Sequence, residues 1–231
     1  MKNVVIIAGS SNIGLGIIKD LLDRDYMVYS TYNSKEPSYK HKNLAWFKLD
    51  LSSTENLYDF VQHDIIKGLE IDVLIYNAGL TCRKSLKDVT DDDILSVFNV
   101  NILSCYRLIR ELLSKFTNDA KIIVTGSQMG IHPHSVSSLY GMSKECLHSM
   151  VKNLVKEFDG TNITINAIVP GFVDTDWQKS KPDYIRQNIC NKTELHRFAT
   201  VNEIVKGYMF CVDNPYVNGC LLEINGGYNY K

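Results

Sequence analysis

Asn3-Val4-Val5-Ile6-Ile7-Ala8-Gly9-Ser10-Ser11-Asn12-Ile13-Gly14-Leu15-Gly16-Ile17-Ile18 is the stretch that decides the fold. An apolar run of strand length passes into a glycine-bearing loop, and Ile17, Ile18, Leu21 and Leu22 then recur at helical spacing. A strand feeding a helix through such a loop gathers backbone N–H groups and the positive end of the helix dipole at one point, a geometry that attracts a pyrophosphate. The placing of Gly9, Gly14 and Gly16 differs from the G-x-G-x-x-G of the usual dinucleotide fingerprint. The alternative is a plain tight turn whose glycines let the helix approach the sheet.

The same strand-then-helix alternation continues through the chain. Strands are expected at about Asn3 to Ala8, Met27 to Tyr32, Leu44 to Leu49, Val73 to Asn77, Lys121 to Thr125, Ile163 to Ile168 and Leu221 to Ile224, with amphipathic helices between them. This is the pattern of βαβ units building a parallel sheet, and it predicts one α/β domain spanning residues 1–231. Ser52-x-x-Glu55 and Thr200-x-x-Glu203 match capping boxes, and Thr90-x-x-Asp93 resembles one. Residues 172–198 break the alternation, carry Pro182, Trp177 and Tyr184, and exceed an ordinary connection, so they are expected to form a substrate lid.

Composition removes several classes of function. The 25 basic and 26 acidic residues are interspersed, which disfavours nucleic acid as a partner. The six cysteines show no C-x-x-C pair and no zinc spacing, so they read as thiols in a reducing compartment, with no metal implied. No apolar run has transmembrane length or the form of a signal peptide, and a cytoplasmic protein with no membrane partner is expected.

Tyr140 and Lys144 stand four apart in Ser137-Ser138-Leu139-Tyr140-Gly141-Met142-Ser143-Lys144, which stacks a phenol and an ammonium on one helix face. A cation there favours the phenolate, and moving a phenol from pKa about 10 to about 7 takes roughly 4 kcal/mol. By itself the pair also fits a solvated helix face. Ser127 follows the strand Ile122-Ile123-Val124-Thr125, at the carboxyl end where open α/β sheets build their sites. Asn101 lies within the apolar stripe Val97, Phe98, Cys105 and Leu108, and a buried amide must be hydrogen-bonded. Asn99 is a neighbouring alternative with a poorer position on the helical wheel.

Taken in order, the Gly9 to Gly16 loop, Asn77-Ala78-Gly79, Ser127, Tyr140-x-x-x-Lys144, Pro170-Gly171 and the terminal Glu223-Ile224-Asn225-Gly226-Gly227 resemble the classical short-chain dehydrogenase/reductase family over nearly the whole chain. The resemblance implies a doubly wound Rossmann sheet of seven parallel strands, order 3-2-1-4-5-6-7, with helices on both faces. It implies a nicotinamide dinucleotide and a catalytic set of Asn101, Ser127, Tyr140 and Lys144. Tyr140 would protonate a carbonyl oxygen, Ser127 would hydrogen-bond it, Lys144 would hold the nicotinamide ribose while lowering the Tyr140 pKa, and Asn101 would support a water that relays protons to the lysine.

Cofactor contacts implied in the same way come from Gly9, Ser11, Asn12, Ile13, Gly14 and Gly16 in the loop, and from Asn33 after strand two. Asp50 and Leu51 after strand three, with Asp50 on the adenine amine, and Asn77, Ala78 and Gly79 after strand four continue the path. Tyr140 and Lys144 then join Pro170, Gly171, Val173 and Thr175. Strand two ends Thr31-Tyr32-Asn33-Ser34-Lys35 without an acid to bind the ribose diol, which leans toward NADPH over NADH, although the loop carries Ser11 or Asn12 where a basic residue is expected.

Wording in Pro170-Gly171-Phe172-Val173-Asp174-Thr175 is closest to 3-oxoacyl-acyl carrier protein reductases. Glu157-Phe158-Asp159 stands where those enzymes place basic residues, which weakens a carrier-protein partner. The expected reaction interconverts a ketone and a secondary alcohol on a small-molecule carbonyl substrate. A 3-oxoacyl thioester is one substrate reading and a sugar or polyol another, while a dinucleotide-binding sensor or assembly protein without turnover is the rival class. His132 and His134 either line the substrate mouth or are exposed loop histidines. Family resemblance also implies a homotetramer or homodimer.

Overall fold

Alternate residues of β1 (Asn3–Ile7) feed two different cores: Val4 and Ile6 turn toward one face of the sheet, Val5 and Ile7 toward the other. Both faces are covered, so the strand reads as a continuous apolar run. The computed structural model describes residues 1–133, 135, 137–228 and 230, without the side chain of Trp177.

The chain continues through α1 (Asn12–Asp23), β2 (Met27–Tyr32), β3 (Leu44–Lys48), α2 (Thr54–Gln62), α3 (Asp64–Lys67) and β4 (Ile71–Tyr76). It then runs through α4 (Asp91–Phe98), α5 (Ser104–Leu112), β5 (Phe116–Thr125), α6 (Gln128–Ile131), α7 (Ser138–Leu154) and β6 (Thr164–Pro170). The last elements are α8 (Asp176–Lys179), α9 (Asp183–Asn191), α10 (Val201–Asp213) and β7 (Leu221–Ile224). The seven strands form one parallel sheet in the order 3-2-1-4-5-6-7, as the resemblance implied. Helices α2, α5 and α7 cover one face and α1 and α10 the other.

Two capping boxes form as read: Thr90 with Asp93 opens α4, and Thr200 with Glu203 opens α10. The third does not. Helix α2 is capped by Ser53, whose hydroxyl accepts from Asn56 N–H, because Ser52 is held in a turn by its own N–H donating to Asp50 Oδ1 at 2.9 Å. Expected strand limits are met at β2 and β7 and miss elsewhere by a few residues, most at β5, which starts at Phe116.

Residues 172–198 contain α8 and α9 and have their own small apolar cluster, in which Phe172 packs on Phe198 and on Tyr228. Among the described residues no helix is long and apolar enough to cross a membrane.

Candidate active site

The carboxyl ends of β1, β4 and β5 are tied together by a short relay of polar side chains. Asn77, after β4, donates its amide to the Ala8 carbonyl at 3.0 Å and to Ser11 Oγ at 2.9 Å, and its Oδ1 accepts from the Thr125 hydroxyl at 3.0 Å. Since Thr125 gives its proton to Asn77, the Tyr208 hydroxyl 2.6 Å away must donate to Thr125. Ser11 also caps α1, its Oγ accepting from Gly14 N–H at 3.1 Å.

Each glycine of the loop has a different neighbour. A Cβ on Gly9 would lie 2.0 Å from the Ser30 Oγ and 2.8 Å from the Ile18 side chain, and one on Gly14 would lie 2.6 Å from the Gly9 Cα, so Gly9 makes room for packed side chains and Gly14 for the backbone of the loop. Gly16 instead faces α10, where a Cβ would meet Val201 at 2.7 Å, so it serves helix packing. The left-handed turn falls on Ala8 (φ +59°), one residue before the glycines, and Thr31 Oγ1 holds its N–H at 2.9 Å. An L-residue there costs roughly 1–2 kcal/mol.

Tyr140 and Ser127 meet, as the sequence predicts. Tyr140 is half-buried on α7 and its hydroxyl is hydrogen-bonded to Ser127. Lys144 is one turn further along and 2% exposed; it donates to the Thr125 carbonyl at 2.7 Å, and its ammonium sits 5.8 Å from the Tyr140 ring centre. Burial brings its pKa down to about 8. The Tyr140 pKa moves against expectation. Burial raises it above the usual value, the Ser127 hydrogen bond and the charge of Arg83 pull the other way, and desolvation wins.

Asn101 is completely buried in a single π-helical turn, Asn99–Leu103, between α4 and α5. Its amide is fully engaged: Oδ1 accepts from Leu80 N–H at 2.7 Å, and Nδ2 donates to the Leu80 carbonyl at 3.0 Å and to Ser143 Oγ at 2.8 Å. It therefore pins the chain after Gly79 to α7 between Tyr140 and Lys144. Asn99 points elsewhere, donating to the Leu51 carbonyl at 2.8 Å.

Two cavities follow the strand ends. One is lined by Asn33, Asp50, Leu51, Ala78 and Gly79. The other brings Ile13, Ser127 and Tyr140 together with Pro170, Gly171, Val173 and Thr175. Asp50 also begins the next turn, and the Ser52 bonds lower its pKa. Asn12 reaches across to Asp176 at 3.0 Å. A Cβ on Gly79 would meet the Lys144 ammonium at 3.3 Å, so the backbone there passes close over the lysine. A path lined by backbone turns, an aspartate and polar strand ends suits an extended dinucleotide. His132 lies 3.6 Å from Glu223, outside the lining of both cavities; His134 lies outside the described residues.

Sequence reading missed His148, one turn beyond Lys144 on the same face of α7. It is completely buried, and its Nε2 accepts the Ser127 N–H at 3.3 Å while Nδ1 lies 3.2 Å from Glu145 Oε2. Burial lowers its pKa, which keeps the imidazole neutral with the proton on Nδ1. A Cβ on Gly126 would come 2.3 Å from Nε2 and one on Gly130 2.8 Å from Cε1, so both glycines make room for the ring. The i+4 continuation of Tyr140 and Lys144 was the available signal. His148→Leu is expected to cost about 1–3 kcal/mol by orphaning the buried Ser127 N–H, measured by urea unfolding. An unchanged midpoint would remove His148 from the support of Ser127.

A short chain dehydrogenase family model matches residues 2–185. The chain is 31% identical to the 3-oxoacyl-acyl-carrier-protein reductase FabG of Pseudomonas aeruginosa over 98% of this chain and 96% of that protein. Its fold superposes with a TM-score of 0.92 on a short chain dehydrogenase family protein of Francisella tularensis, 26% identical with all of both chains covered. ElxO with NADP bound gives a TM-score of 0.89 at 26% identity, covering 100% of this chain and 99% of that one. The chain belongs to the short-chain dehydrogenase/reductase family. It is an oxidoreductase of the CH–OH/carbonyl class that works with NAD(P).

Proposed function

We propose that the protein is an NADPH-dependent reductase of a ketone, with Tyr140 as the proton donor. The observation that carries this reading is the Tyr140–Ser127 hydrogen bond at the wall of a cavity, with the Lys144 ammonium buried directly behind it. When bound, the nicotinamide supplies a hydride to the carbonyl carbon. Tyr140 gives its proton to the carbonyl oxygen, and the Ser127 hydroxyl holds that oxygen while negative charge grows on it. A phenol whose pKa burial keeps high is fully protonated near neutrality, which suits the acid of a reduction. Asn101 and His148 fix the backbone around this pair.

The residues lining the two cavities would hold the cofactor: Asn33, Asp50 and Leu51 its adenosine half and Pro170, Gly171, Val173 and Thr175 its nicotinamide half, with the loop from Gly9 to Gly14 at its pyrophosphate. Preference for NADPH is supported by the exposed Asn33 and Lys35 after β2, where no acid stands to repel a 2′-phosphate, and by the NADP in the ElxO neighbour. Residues 172–198, which put Phe172, Val173, Thr175 and Gln178 in the wall of the Tyr140 cavity, would act as the substrate lid.

The test follows absorbance loss of NADPH and of NADH against 3-oxoacyl thioesters, keto sugars and simple diketones. Turnover with at least one ketone, faster by about tenfold or more with NADPH, is expected. Tight NADPH binding without turnover of any ketone would support the non-catalytic sensor instead, and a preference for NADH would overturn the cofactor assignment.

A further inference from the structure

We propose that His148 is a positioning residue that makes this reduction sensitive to acid: its unprotonated Nε2 holds Ser127 within reach of Tyr140, and a proton on that nitrogen releases Ser127 and slows turnover. The inference rests on the ketone-reductase reading and adds to it a buried residue that lines neither cavity.

Strand β5 is fastened to β6 as far as Gly126, whose N–H donates to the Ile168 carbonyl at 2.7 Å. Ser127 is the first residue beyond that ladder, and its N–H goes to the imidazole at 3.3 Å. The Ser127 hydroxyl opens α6, its Oγ accepting from Met129 N–H at 3.2 Å, and it is also hydrogen-bonded to Tyr140. His148 therefore ties the Ser127 backbone to α7, the helix that carries Tyr140, so both partners of the Ser127–Tyr140 bond are placed by one helix. The seat of the ring is built. Gly126 and Gly130 leave it the space that a Cβ on either would fill.

An imidazole accepts at Nε2 only while that nitrogen has no proton. Once both ring nitrogens carry one, the buried Ser127 N–H faces a second N–H, and Ser127 relieves the conflict by moving off the ring, which takes its hydroxyl from Tyr140. Charged groups around the ring act in opposite directions. Glu145, exposed and 3.2 Å from Nδ1, favours the added proton, while Lys144 and Lys152, one turn to either side on α7, oppose it. Residues 125–131, which pack against the ring through Gly126 and Gly130, contain no titratable side chain, and neither does β6 beside them. Burial tips the balance against the imidazolium, so the change falls below the ordinary histidine value of 6.5. Tyr140, with its raised pKa, and Lys144, at about 8, both hold their protons in that range, so neither produces an acid limb in a reduction.

Initial rates at saturating NADPH and ketone, from about pH 7.5 to about pH 4.5, test this. In wild type kcat is expected to fall along a single acid limb with its midpoint below 6.5. His148→Gln, whose amide oxygen accepts the Ser127 N–H but takes no proton, loses the limb, and at pH 7.5 its kcat exceeds that of His148→Leu by about tenfold. Glu145→Gln moves the midpoint to lower pH by about 0.5 unit or more, because the carboxylate that favours the imidazolium is gone. A wild-type kcat that stays level to pH 4.5, or a limb that keeps its midpoint in His148→Gln, overturns the proposal and leaves the ketone-reductase reading standing. If no ketone is reduced, or if His148→Gln does not fold, the Ser127 amide signal of wild type followed by NMR decides without turnover. A shift that follows one ionisation below pH 6.5, displaced to lower pH in Glu145→Gln, upholds the role of His148, and a Ser127 amide indifferent to pH or to Glu145→Gln overturns it.

Discussion

Tyr140→Phe is expected to lower kcat/KM for the ketone by about 10²- to 10⁴-fold, the range that a positioned general acid contributes. The substitution deletes one oxygen and keeps the ring, so the packing of α7 and the seat of Lys144 beneath Gly79 stay in place. Ser127 loses the partner to which its hydroxyl is hydrogen-bonded, but its Oγ still accepts from Met129 N–H at 3.2 Å and its own N–H still donates to His148. The loss should therefore fall on kcat, with NADPH affinity by fluorescence titration and the urea midpoint close to wild type. Turnover that survives in Tyr140→Phe within about fivefold would remove Tyr140 as the donor and shift attention to another acid in the cavity.

Most of the architecture was legible because it rests on local periodicity. The two-sided burial of β1 and the helical spacing after Gly14 each follow from residues a few positions apart. Asn101 was legible for the same reason, as a polar residue in an apolar stripe. What it does there was not: the π-helical turn and the clamp on Leu80 depend on contacts 21 residues away in sequence. Ser53 displaced Ser52 as the cap because Asp50 claims the Ser52 N–H, a competition that motif spacing does not record.

The direction of the Tyr140 pKa was misjudged because the sequence displays the nearby charge of Lys144 but not the desolvation that outweighs it. Arg83 and Lys181 are 98 positions apart in the chain, and only the folding of residues 172–198 over Met129 places them in one wall. Residues gathered by tertiary packing escape a reading that works by spacing.

Lys144 is expected to weaken the fold at neutral pH, by an amount that alkali removes. The residue is 2% exposed, and its pKa falls from the usual 10.5 to about 8 because burial penalises the charged form more than the neighbouring Cys105 compensates. That drop corresponds to about 3 kcal/mol in the balance between folded and unfolded chains. Below pH 8 both states hold the proton and the penalty is present in full. Between pH 8 and 10.5 the folded state releases the proton first, the unfolded state binds more protons, and stability from this group rises with pH. Lys144→Met has no such dependence, so subtracting its unfolding free energy from that of wild type isolates the lysine from the buried tyrosines and cysteines that titrate in both. The difference should move toward wild type by about 2–3 kcal/mol between pH 7 and pH 10, read by urea unfolding. A difference that stays flat would show that the ammonium is not held at a cost. A shift of the expected sign would mean that the fold gives up stability to keep a cation one turn from Tyr140, which packing alone does not require of a buried helix position and which the proposed reductase site gives a reason for.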